Sequence, residues 1–266
     1  MIDSEGENAS ALSARWPIER VSLELGRRCS KGCWFCYNGS NAEGERTWEP
    51  EDVVAFARDC AAHDVKALSF GGGEPLEEPS LFAILRALDG ILFRSLTTNG
   101  LPLEARFDDL VAARPDKVHV SIHFPGNDAE VGRVIAQVGA LAGAGIKSGV
   151  NLLVRASTID DARTATSRLY DAGIGPDRIV FLPMRGEDTP TPAQIASVAG
   201  PKFQSMSCLS GCGKSPRFCS IGWDRSVAWC SYTTTRAKLA EPTWAAMLRA
   251  LEGLGLRPCG LTQLRV

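Results

Sequence analysis

Three cysteines stand within eight residues of one another near the start of the chain. They are Cys29, Cys33 and Cys36, and their spacing is C-x3-C-x2-C. A thiolate is a soft ligand that selects zinc or the iron of an iron–sulfur cluster. Zinc sites usually take four ligands in paired C-x2-C units, whereas three thiolates on a cubane cluster leave one iron open. The spacing therefore favours an iron–sulfur cluster whose open iron can chelate an amino and a carboxylate group.

A second motif, GGGEP, occupies residues 71–75. Consecutive glycines let a backbone approach a ligand closely, and the carboxylate of Glu74 can accept hydrogen bonds from an ammonium group. A glycine-rich turn before a helix is weak evidence by itself. Because this one follows a cysteine triplet at a preceding strand, it becomes specific evidence for a ligand-binding turn.

The composition excludes several classes of protein. The chain has 266 residues and a formal net charge of −2, which gives no sign of a nucleic-acid-binding surface. Its start lacks the basic and apolar regions of a targeting segment, and no apolar run approaches the roughly 20 residues of a membrane span. We therefore expect a cytoplasmic protein without membrane or nucleic-acid partners. In a reducing compartment, nine cysteines indicate metal binding or catalysis rather than disulfides.

The elements that must position these motifs alternate regularly. Six runs rich in β-branched and apolar residues predict strands: ERVSLEL, VKALSF, LFRSLTT, KVHVSIHF, IKSGVNLLV and RIVFLPM. Amphipathic stretches predict helices over residues 50–63, 79–89, 104–113, 127–144 and 159–172. This repeat predicts an α/β fold, an incomplete parallel (β/α)6 barrel, because eight units would need about 250 residues.

Three regions follow from the pattern: a disordered lead-in over residues 1–17, the barrel over 18–189, and a smaller module over 190–266. Serine, glycine, cysteine and tryptophan become frequent in the last region. The cysteine triplet follows the first predicted strand and GGGEP follows the second. Active sites of barrels lie at the C-terminal ends of the strands, so we expect the two motifs to meet there.

Both motifs match a known family. Cys29, Cys33, Phe35 and Cys36 resemble the C-x3-C-x-aromatic-C signature of the radical SAM superfamily, and the GGEP sequence of residues 72–75 resembles its GGE motif. LTTNG, VHVSIHF and GVNLLV resemble strands of the branch that contains the molybdenum-cofactor cyclase and the SPASM peptide maturases. The resemblance implies a partial (β/α)6 TIM-like barrel that holds a 4Fe–4S cluster and S-adenosylmethionine (SAM). It also implies a 5′-deoxyadenosyl radical formed by reductive cleavage of SAM, with a reductant such as flavodoxin or ferredoxin.

The resemblance assigns further residues to the cofactor. Phe35 is expected beside the adenine, and Ser121 at the polar portion of SAM. Leu182 is expected near the adenine from the sixth strand. The residues expected at the methionine amino group are those of the GGE turn, Gly72, Gly73 and Glu74.

Strand parity adds an independent hypothesis. His119, Ser121 and His123 share one face of the fourth predicted strand, because side chains alternate along a strand. If Ser121 faces the cofactor, both histidines face the barrel interior. His123 lies at the top of the strand and is the predicted catalytic residue in contact with substrate. His119 lies nearer the bottom and is expected to be a hydrogen-bonded core residue.

The last region has the order cysteine, hairpin, cysteine, helix, cysteine, which resembles a twitch or SPASM module. The resemblance implies one auxiliary 4Fe–4S cluster, with Cys208 as an alternative to the first of its ligands. The four expected ligands are Cys212, Cys219, Cys230 and Cys259. A structural zinc site on the same thiols is the alternative, since sulfur-rich tetrahedral sites suit either metal.

Together these features predict a radical SAM oxidoreductase that carries out a net two-electron oxidation, because an auxiliary cluster can accept the second electron. The predicted substrate is a ribosomally made peptide that is crosslinked or dehydrogenated, with a separate peptide-recognition protein as a further partner. Dehydrogenation of a sugar-like or cyclitol alcohol is the alternative. A non-catalytic iron–sulfur electron carrier is the alternative from another class, but a carrier needs neither a GGE turn nor a barrel.

Overall fold

The computed structural model describes residues 16–200, 203–205 and 215–256. They form two compact units, the first made of residues up to 95 together with those from 215 onward, and the second of the residues between. The boundary expected at residue 190 thus falls inside the second unit. Of the expected lead-in, residues 1–15 lie outside the described part of the chain. Trp16 is buried, with its ring centroid 4.8 Å from that of Trp229.

Ten strands lie in the described residues: β1 (Arg20–Glu24), β2 (Ala67–Gly71), β3 (Phe93–Thr98), β4 (Lys117–Ile122), β5 (Lys147–Val154), β6 (Ile179–Pro183), β7 (Gln204–Ser205), β8 (Phe218–Ile221), β9 (Ser226–Ala228) and β10 (Ala237–Lys238). The first six correspond to the six predicted strands. Each is rich in apolar or β-branched residues, which fit the pleated and half-buried surface of a sheet.

Seven α-helices lie in the described residues: α1 (Pro50–Ala62), α2 (Leu81–Ala87), α3 (Phe107–Ala113), α4 (Asp128–Gly143), α5 (Ile159–Asp171), α6 (Pro192–Ala199) and α7 (Trp244–Leu254). Pro50 begins α1, where a missing N–H costs nothing. The side chain of Asn127 caps α4 by accepting from the backbone N–H of Glu130 at 3.1 Å. Within this part of the chain, no helix has the length and apolar character needed to cross a membrane.

In the first unit the strand order is β10-β9-β8-β1-β2-β3, and β3 continues into the second unit. β1 runs parallel to both β2 and β8, while β8 and β9 form the antiparallel hairpin that the sequence predicted. Thr47 and Trp48 bind the turn of this hairpin. The indole N–H of Trp48 donates to the carbonyl of Gly222 at 3.2 Å, and the hydroxyl of Thr47 donates to the carbonyl of Trp223 at 2.5 Å. The C-terminal hairpin is therefore built into the first unit.

In the second unit the order is β4-β5-β6-β7, and all of these neighbours are parallel. Val118, Val120 and Ile122 of β4 are fully buried. They alternate with the polar residues His119 and Ser121, so the apolar side chains of this strand share one face and the polar ones the other. The strand parity expected from the sequence is present here.

Candidate active site

The loop that carries the first three cysteines begins at the end of β1. The segment leading into it is hydrogen-bonded on both sides, as a strand inside a sheet would be. On one side the backbone N–H of Cys29 donates to the carbonyl of Asn41, and on the other the N–H of Glu74 donates to the carbonyl of Arg28, both at 2.8 Å. The cysteine loop and the GGE turn are therefore held together through their backbones.

The glycines of the turn are required by this close packing. A Cβ on Gly73 would lie 1.9 Å from the carbonyl oxygen of Arg28, and one on Gly72 would lie 2.5 Å from that of Gly26. Gly72 also has a φ of +106°, which other residues rarely adopt. The sequence alone suggested close approach to a ligand, whereas the structure shows close approach to the cysteine loop itself.

Cys29, Cys33 and Cys36 are half-buried on this single loop. In the part of the chain that the structure describes, no three or more His, Cys, Asp or Glu side chains converge closely enough to hold a metal ion. The fit to a cluster rests on the donors, because three soft thiols on one partly exposed loop are the ligand set that iron–sulfur clusters use. Ser30 connects the loop to the 3-10 helix Pro75–Glu77 that follows the GGE turn, because its hydroxyl donates to the Glu77 carboxylate at 2.6 Å.

A buried carboxylate, Glu24, lies near the cysteine loop, and no motif in the sequence indicated it. Glu24, at the end of β1, is 2% exposed and accepts a hydrogen bond from the backbone N–H of Trp223 at 3.3 Å. Tyr37, directly after Cys36, is half-buried. Burial, and then the neighbouring carboxylate of Glu24, hold the pKa of Tyr37 well above its usual value. Its ring centroid lies 5.0 Å from that of Tyr232. The only signal in the sequence was the position of Tyr37 beside the triplet.

The Glu74 carboxylate caps a short helix and also lines a pocket at the turn. It is 3% exposed, and its Oε1 accepts from the backbone N–H of Leu76 at 3.0 Å, which caps a short 3-10 helix over Pro75–Glu77. Glu74 also lines a small pocket together with Leu25 and Arg28. The carboxylate is thus placed where it can accept from a ligand while the turn remains capped.

The structural role of Glu74 decides which substitution tests its binding role. Glu74→Gln keeps an oxygen for the Leu76 cap but removes the negative charge, so we expect SAM to bind about tenfold more weakly, the factor that corresponds to 1.4 kcal/mol. Equilibrium dialysis with the reconstituted protein measures this affinity. Glu51→Gln on the exposed surface of α1 is the control and should bind like the unaltered protein. If Glu74→Gln binds SAM as tightly as the unaltered protein does, Glu74 does not contact SAM.

Two other predicted cofactor residues lie in the second unit. Ser121 of β4 is 3% exposed and pairs in register with Asn151, while Leu182 of β6 is half-buried and pairs with Leu153. Phe35 belongs to the first unit, where its ring packs edge-on against that of Trp34 at 5.2 Å. The contacts of these three residues with SAM remain predictions.

His119 and His123 differ in their surroundings. Nδ1 of His119 is hydrogen-bonded to Oδ1 of Asn151 at 2.9 Å, and Nδ2 of that asparagine donates to the Thr97 hydroxyl at 3.4 Å. Burial, and then the charge of Lys117, lower the pKa of His119 to about 4, against the opposing effect of the bond to Asn151. His123 follows β4 and is half-buried, and its backbone N–H donates to the Glu130 carboxylate at 2.6 Å. Its predicted catalytic role remains a prediction.

The lowered pKa of His119 predicts a pH dependence of stability. The folded-state value of about 4 lies below the value of 6.5 for a free histidine. As the pH falls from about 6.5 to about 4, the unfolded chain takes up a proton that the folded chain does not, so the free energy of unfolding decreases. We expect His119→Gln to lose less stability over this range, measured by urea unfolding at several pH values. If the free energy of unfolding of the variant decreases equally over this pH range, the lowered pKa of His119 is not the cause.

Two of the predicted auxiliary-site cysteines are described, and their environments differ. Cys230 is half-buried, and its Sγ accepts from the backbone N–H of Tyr232 at 3.4 Å. Cys219 is fully buried in β8, with its Sγ 3.6 Å from Sδ of Met247, and burial raises its pKa. A side chain that packs in the core against Met247 is poorly placed to bind a metal, so this placement weighs against Cys219 as a cluster ligand. The remaining predicted positions, Cys208, Cys212 and Cys259, lie outside the described residues.

Comparison with known proteins places these features in a family. The model of the radical SAM superfamily matches residues 23–190. A probable GTP 3′,8-cyclase of Methanocella arvoryzae is 36% identical over 128 residues, which are 48% of this chain and 39% of that protein. A probable GTP 3′,8-cyclase of Halobacterium salinarum is 25% identical over 234 residues, 84% of this chain and 60% of that protein. The chain therefore spans less than two thirds of the length of these relatives.

Solved structures share the fold. Streptococcus suis SuiB, bound to the precursor peptide SuiA, has a TM-score of 0.72 and 13% identity over 91% of this chain and 68% of its own. Native anSMEcpe with bound AdoMet has a TM-score of 0.62 and 13% identity over 88% of this chain and 84% of its own. This likeness confirms the predicted fold class, an α/β parallel sheet of six strands with a C-terminal antiparallel hairpin, as in radical SAM partial barrels.

The family match covers more than half of the chain, and it includes the cysteine triplet and the GGE turn that the backbone holds together. The three thiols of the loop are the donors that a 4Fe–4S cluster takes, and the family implies this cluster together with SAM. The chain belongs to the radical SAM superfamily.

Proposed function

We propose that this chain is a radical SAM oxidoreductase that carries out a net two-electron oxidation. When bound, the cluster and SAM would supply a 5′-deoxyadenosyl radical that takes one hydrogen atom from the substrate, and an auxiliary 4Fe–4S cluster at Cys230 would accept the electron left behind. A proton leaves with that electron, so the substrate loses two hydrogens in all. The residues of the chain have to hold these groups and connect them.

The observation that supports this proposal is a contact between the neighbours of the two proposed iron ligands. Tyr37 follows Cys36 directly, and its ring centroid lies 5.0 Å from that of Tyr232. The backbone N–H of Tyr232 in turn donates to Sγ of Cys230 at 3.4 Å. All of these residues belong to the first unit. A ring contact and a hydrogen bond thus hold the residue after Cys36 close to Cys230, which supports a second redox centre near the first.

The surroundings of Cys230 also suit an iron–sulfur ligand. Hydrogen bonds to the sulfurs and exclusion of water set the potential of such a cluster. Cys230 receives the N–H of Tyr232, and the adjacent Trp229 is 2% exposed, with its indole N–H donating to the carbonyl of Leu251 at 3.1 Å. We propose Cys212 or Cys208, together with Cys259, as further ligands. Iron and zinc analysis of the purified protein separates the cluster from a structural zinc site.

For the substrate we propose a ribosomally made peptide. The fold is shared with SuiB, which has been solved with its precursor peptide, and with anSMEcpe, which has been solved with the Cp18Cys peptide. His123, half-buried after the end of β4, is the residue we propose to contact this substrate. The ends of parallel strands are where such barrels bind substrates, and the bond to Glu130 fixes the backbone at this position.

The mass of the product tests the proposal. The enzyme is reconstituted anaerobically and incubated with SAM, dithionite and each short peptide encoded beside its gene. A loss of two hydrogens from the peptide, with one 5′-deoxyadenosine formed per turnover, is the expected result. An unchanged mass or an added methyl group would refute a net oxidation. His123→Ala is expected to form less of the oxidised peptide while cleavage of SAM without product continues.

Dehydrogenation of a sugar-like or cyclitol alcohol is the second candidate, and one observation favours it. Thr97, Asn151 and His119 form a hydrogen-bonded row on strands β3 to β5 of the second unit. Side chains of this kind can donate to and accept from the hydroxyl groups of a sugar. Loss of two hydrogens from a polar metabolite fraction, with none from the peptides, would select this candidate.

A further inference from the structure

A buried asparagine lies beside one thiol of the cysteine loop. Asn38 stands two residues after Cys36 and is 8% exposed. The chain turns at this point, because the backbone N–H of Gly39 donates to the carbonyl of Cys36 at 3.1 Å. The turn brings Oδ1 of Asn38 to 3.4 Å from Sγ of Cys36.

The amide of Asn38 is paired on one side only. Its oxygen accepts from the hydroxyl of Ser40 and from the thiol of Cys36. Its Nδ2 is buried and has no hydrogen-bond partner among the described residues. A buried N–H without a partner is costly, because the group has lost its hydrogen bonds to water and gained none in return.

Binding of iron changes what Cys36 can do. A thiolate ligand has no proton to donate, so it can only accept hydrogen bonds. Half a rotation of the Asn38 amide would then place Nδ2 where Oδ1 is, with almost no change of shape. Its two hydrogens would reach Sγ of Cys36 and Oγ of Ser40.

The released hydroxyl of Ser40 also has an acceptor. Its Oγ lies 3.5 Å from the carbonyl oxygen of Gly72 in the GGE turn. In this arrangement both hydrogens of the Asn38 amide and the hydroxyl hydrogen of Ser40 are paired. Oδ1 of Asn38 would then stand where Nδ2 is now, without a partner. A buried carbonyl oxygen lacks a partner more often in proteins than a buried N–H does. The hydrogen-bonding groups around Asn38 would therefore be better paired with a metal-bound thiolate at Cys36 than with a thiol.

We propose that Asn38 is a positioning residue that donates a hydrogen bond to the cluster-bound thiolate of Cys36 and raises the reduction potential of that cluster. Reduction adds negative charge to the cluster and its thiolates, so a donor at the sulfur stabilises the reduced form more than the oxidised one. Through Ser40, the same hydrogen bonds reach Gly72, in the turn expected to bind SAM. The inference depends on the cluster implied by the family and not on the oxidation proposed above.

The first test measures the potential of the reconstituted enzyme. In Asn38→Leu the side chain keeps a similar size and has no donor, so the midpoint potential of the cluster, followed by EPR during a redox titration, should shift to a more negative value. Ser40→Ala is the matched control, because it removes the neighbouring hydroxyl and leaves the donor to the sulfur in place. Its potential should match that of the unaltered enzyme. An unshifted potential in Asn38→Leu, or an equal shift in Ser40→Ala, would overturn the proposal.

A second measurement needs no variant in the pocket and decides the question if Asn38→Leu does not hold its cluster. The enzyme is produced with ¹⁵N only in the side-chain amides of asparagine, and the reduced cluster is examined by pulsed EPR. A ¹⁵N hyperfine coupling is expected and should persist in Asn41→Ser, because Nδ2 of Asn41 donates to the carbonyl of Gly39 instead. Absence of the coupling in the unaltered enzyme would overturn the proposal. These readouts do not depend on any product, so they stand or fall separately from the proposed oxidation.

Discussion

Replacement of Cys29, Cys33 and Cys36 together by alanine is expected to reduce the yield of 5′-deoxyadenosine from SAM to that of a reaction without enzyme. These three thiols are the soft ligands of the loop after β1, and cleavage of SAM needs the electron that their cluster delivers. The measurement is chromatography of the products after anaerobic reconstitution and addition of dithionite. Iron bound at the proposed auxiliary site should remain.

Cys60→Ala is the control for this experiment. Cys60 lies in α1, is 1% exposed, and has its pKa raised chiefly by burial, as expected of a core residue. Its replacement should leave SAM cleavage intact. Continued formation of 5′-deoxyadenosine by the triple variant would show that the cluster is held elsewhere. Complete loss of iron from the triple variant would instead contradict an auxiliary cluster.

The second large effect separates Cys230 from Cys219. Cys230→Ala should still cleave SAM but lose the iron of the auxiliary site and form little oxidised product. Cys219→Ala should keep that iron and the product, because its side chain packs against Met247 in the core. Instead it should lower the free energy of unfolding by roughly 0.5–3 kcal/mol, the usual range for a truncated core residue.

Three measurements distinguish the two variants: iron content, the EPR spectrum of the reduced protein, and urea unfolding. The sequence alone assigned both cysteines to the cluster, so loss of auxiliary iron in Cys219→Ala would support that assignment and contradict the role argued from its burial. Normal oxidation by Cys230→Ala would show that the auxiliary site does not take up the substrate electron. In that event the proposed mechanism fails even if iron is present.

Much of the fold could be predicted because it depends on local patterns. The amphipathic stretch over residues 159–172 is α5, Ile159–Asp171, and the alternation in KVHVSIHF is β4 with Val118, Val120 and Ile122 buried on one face. Periods of 3.6 and 2 residues are properties of neighbouring positions, so they are visible without the tertiary structure. The hairpin around Asp224 and Arg225 was predictable for the same reason, and Arg225 has a φ of +60° at its turn.

The candidate site was predictable in part. The triplet and the GGE turn are contiguous motifs, and their meeting follows from the rule that parallel strands end at the same edge of a sheet. The surroundings could not be foreseen in the same way. Tyr37 and Tyr232 are 195 positions apart in the chain, and their contact depends on the pairing of β8 with β1. The role of Asn38 depends on which of its atoms face Cys36 and Ser40.

By itself, the sequence determined the chemistry that this protein can hold: three soft thiolates on one loop, a glycine turn with a carboxylate, and six alternating βα units to present them. Only the tertiary structure decided which residues of the same type have the same surroundings. Cys219 and Cys230 are the same residue type eleven positions apart, yet one is fully buried and the other half-buried. The physical reason is that burial and hydrogen-bond partners come from distant segments, and they decide whether a thiol stays protonated in the core or can meet a metal as a thiolate.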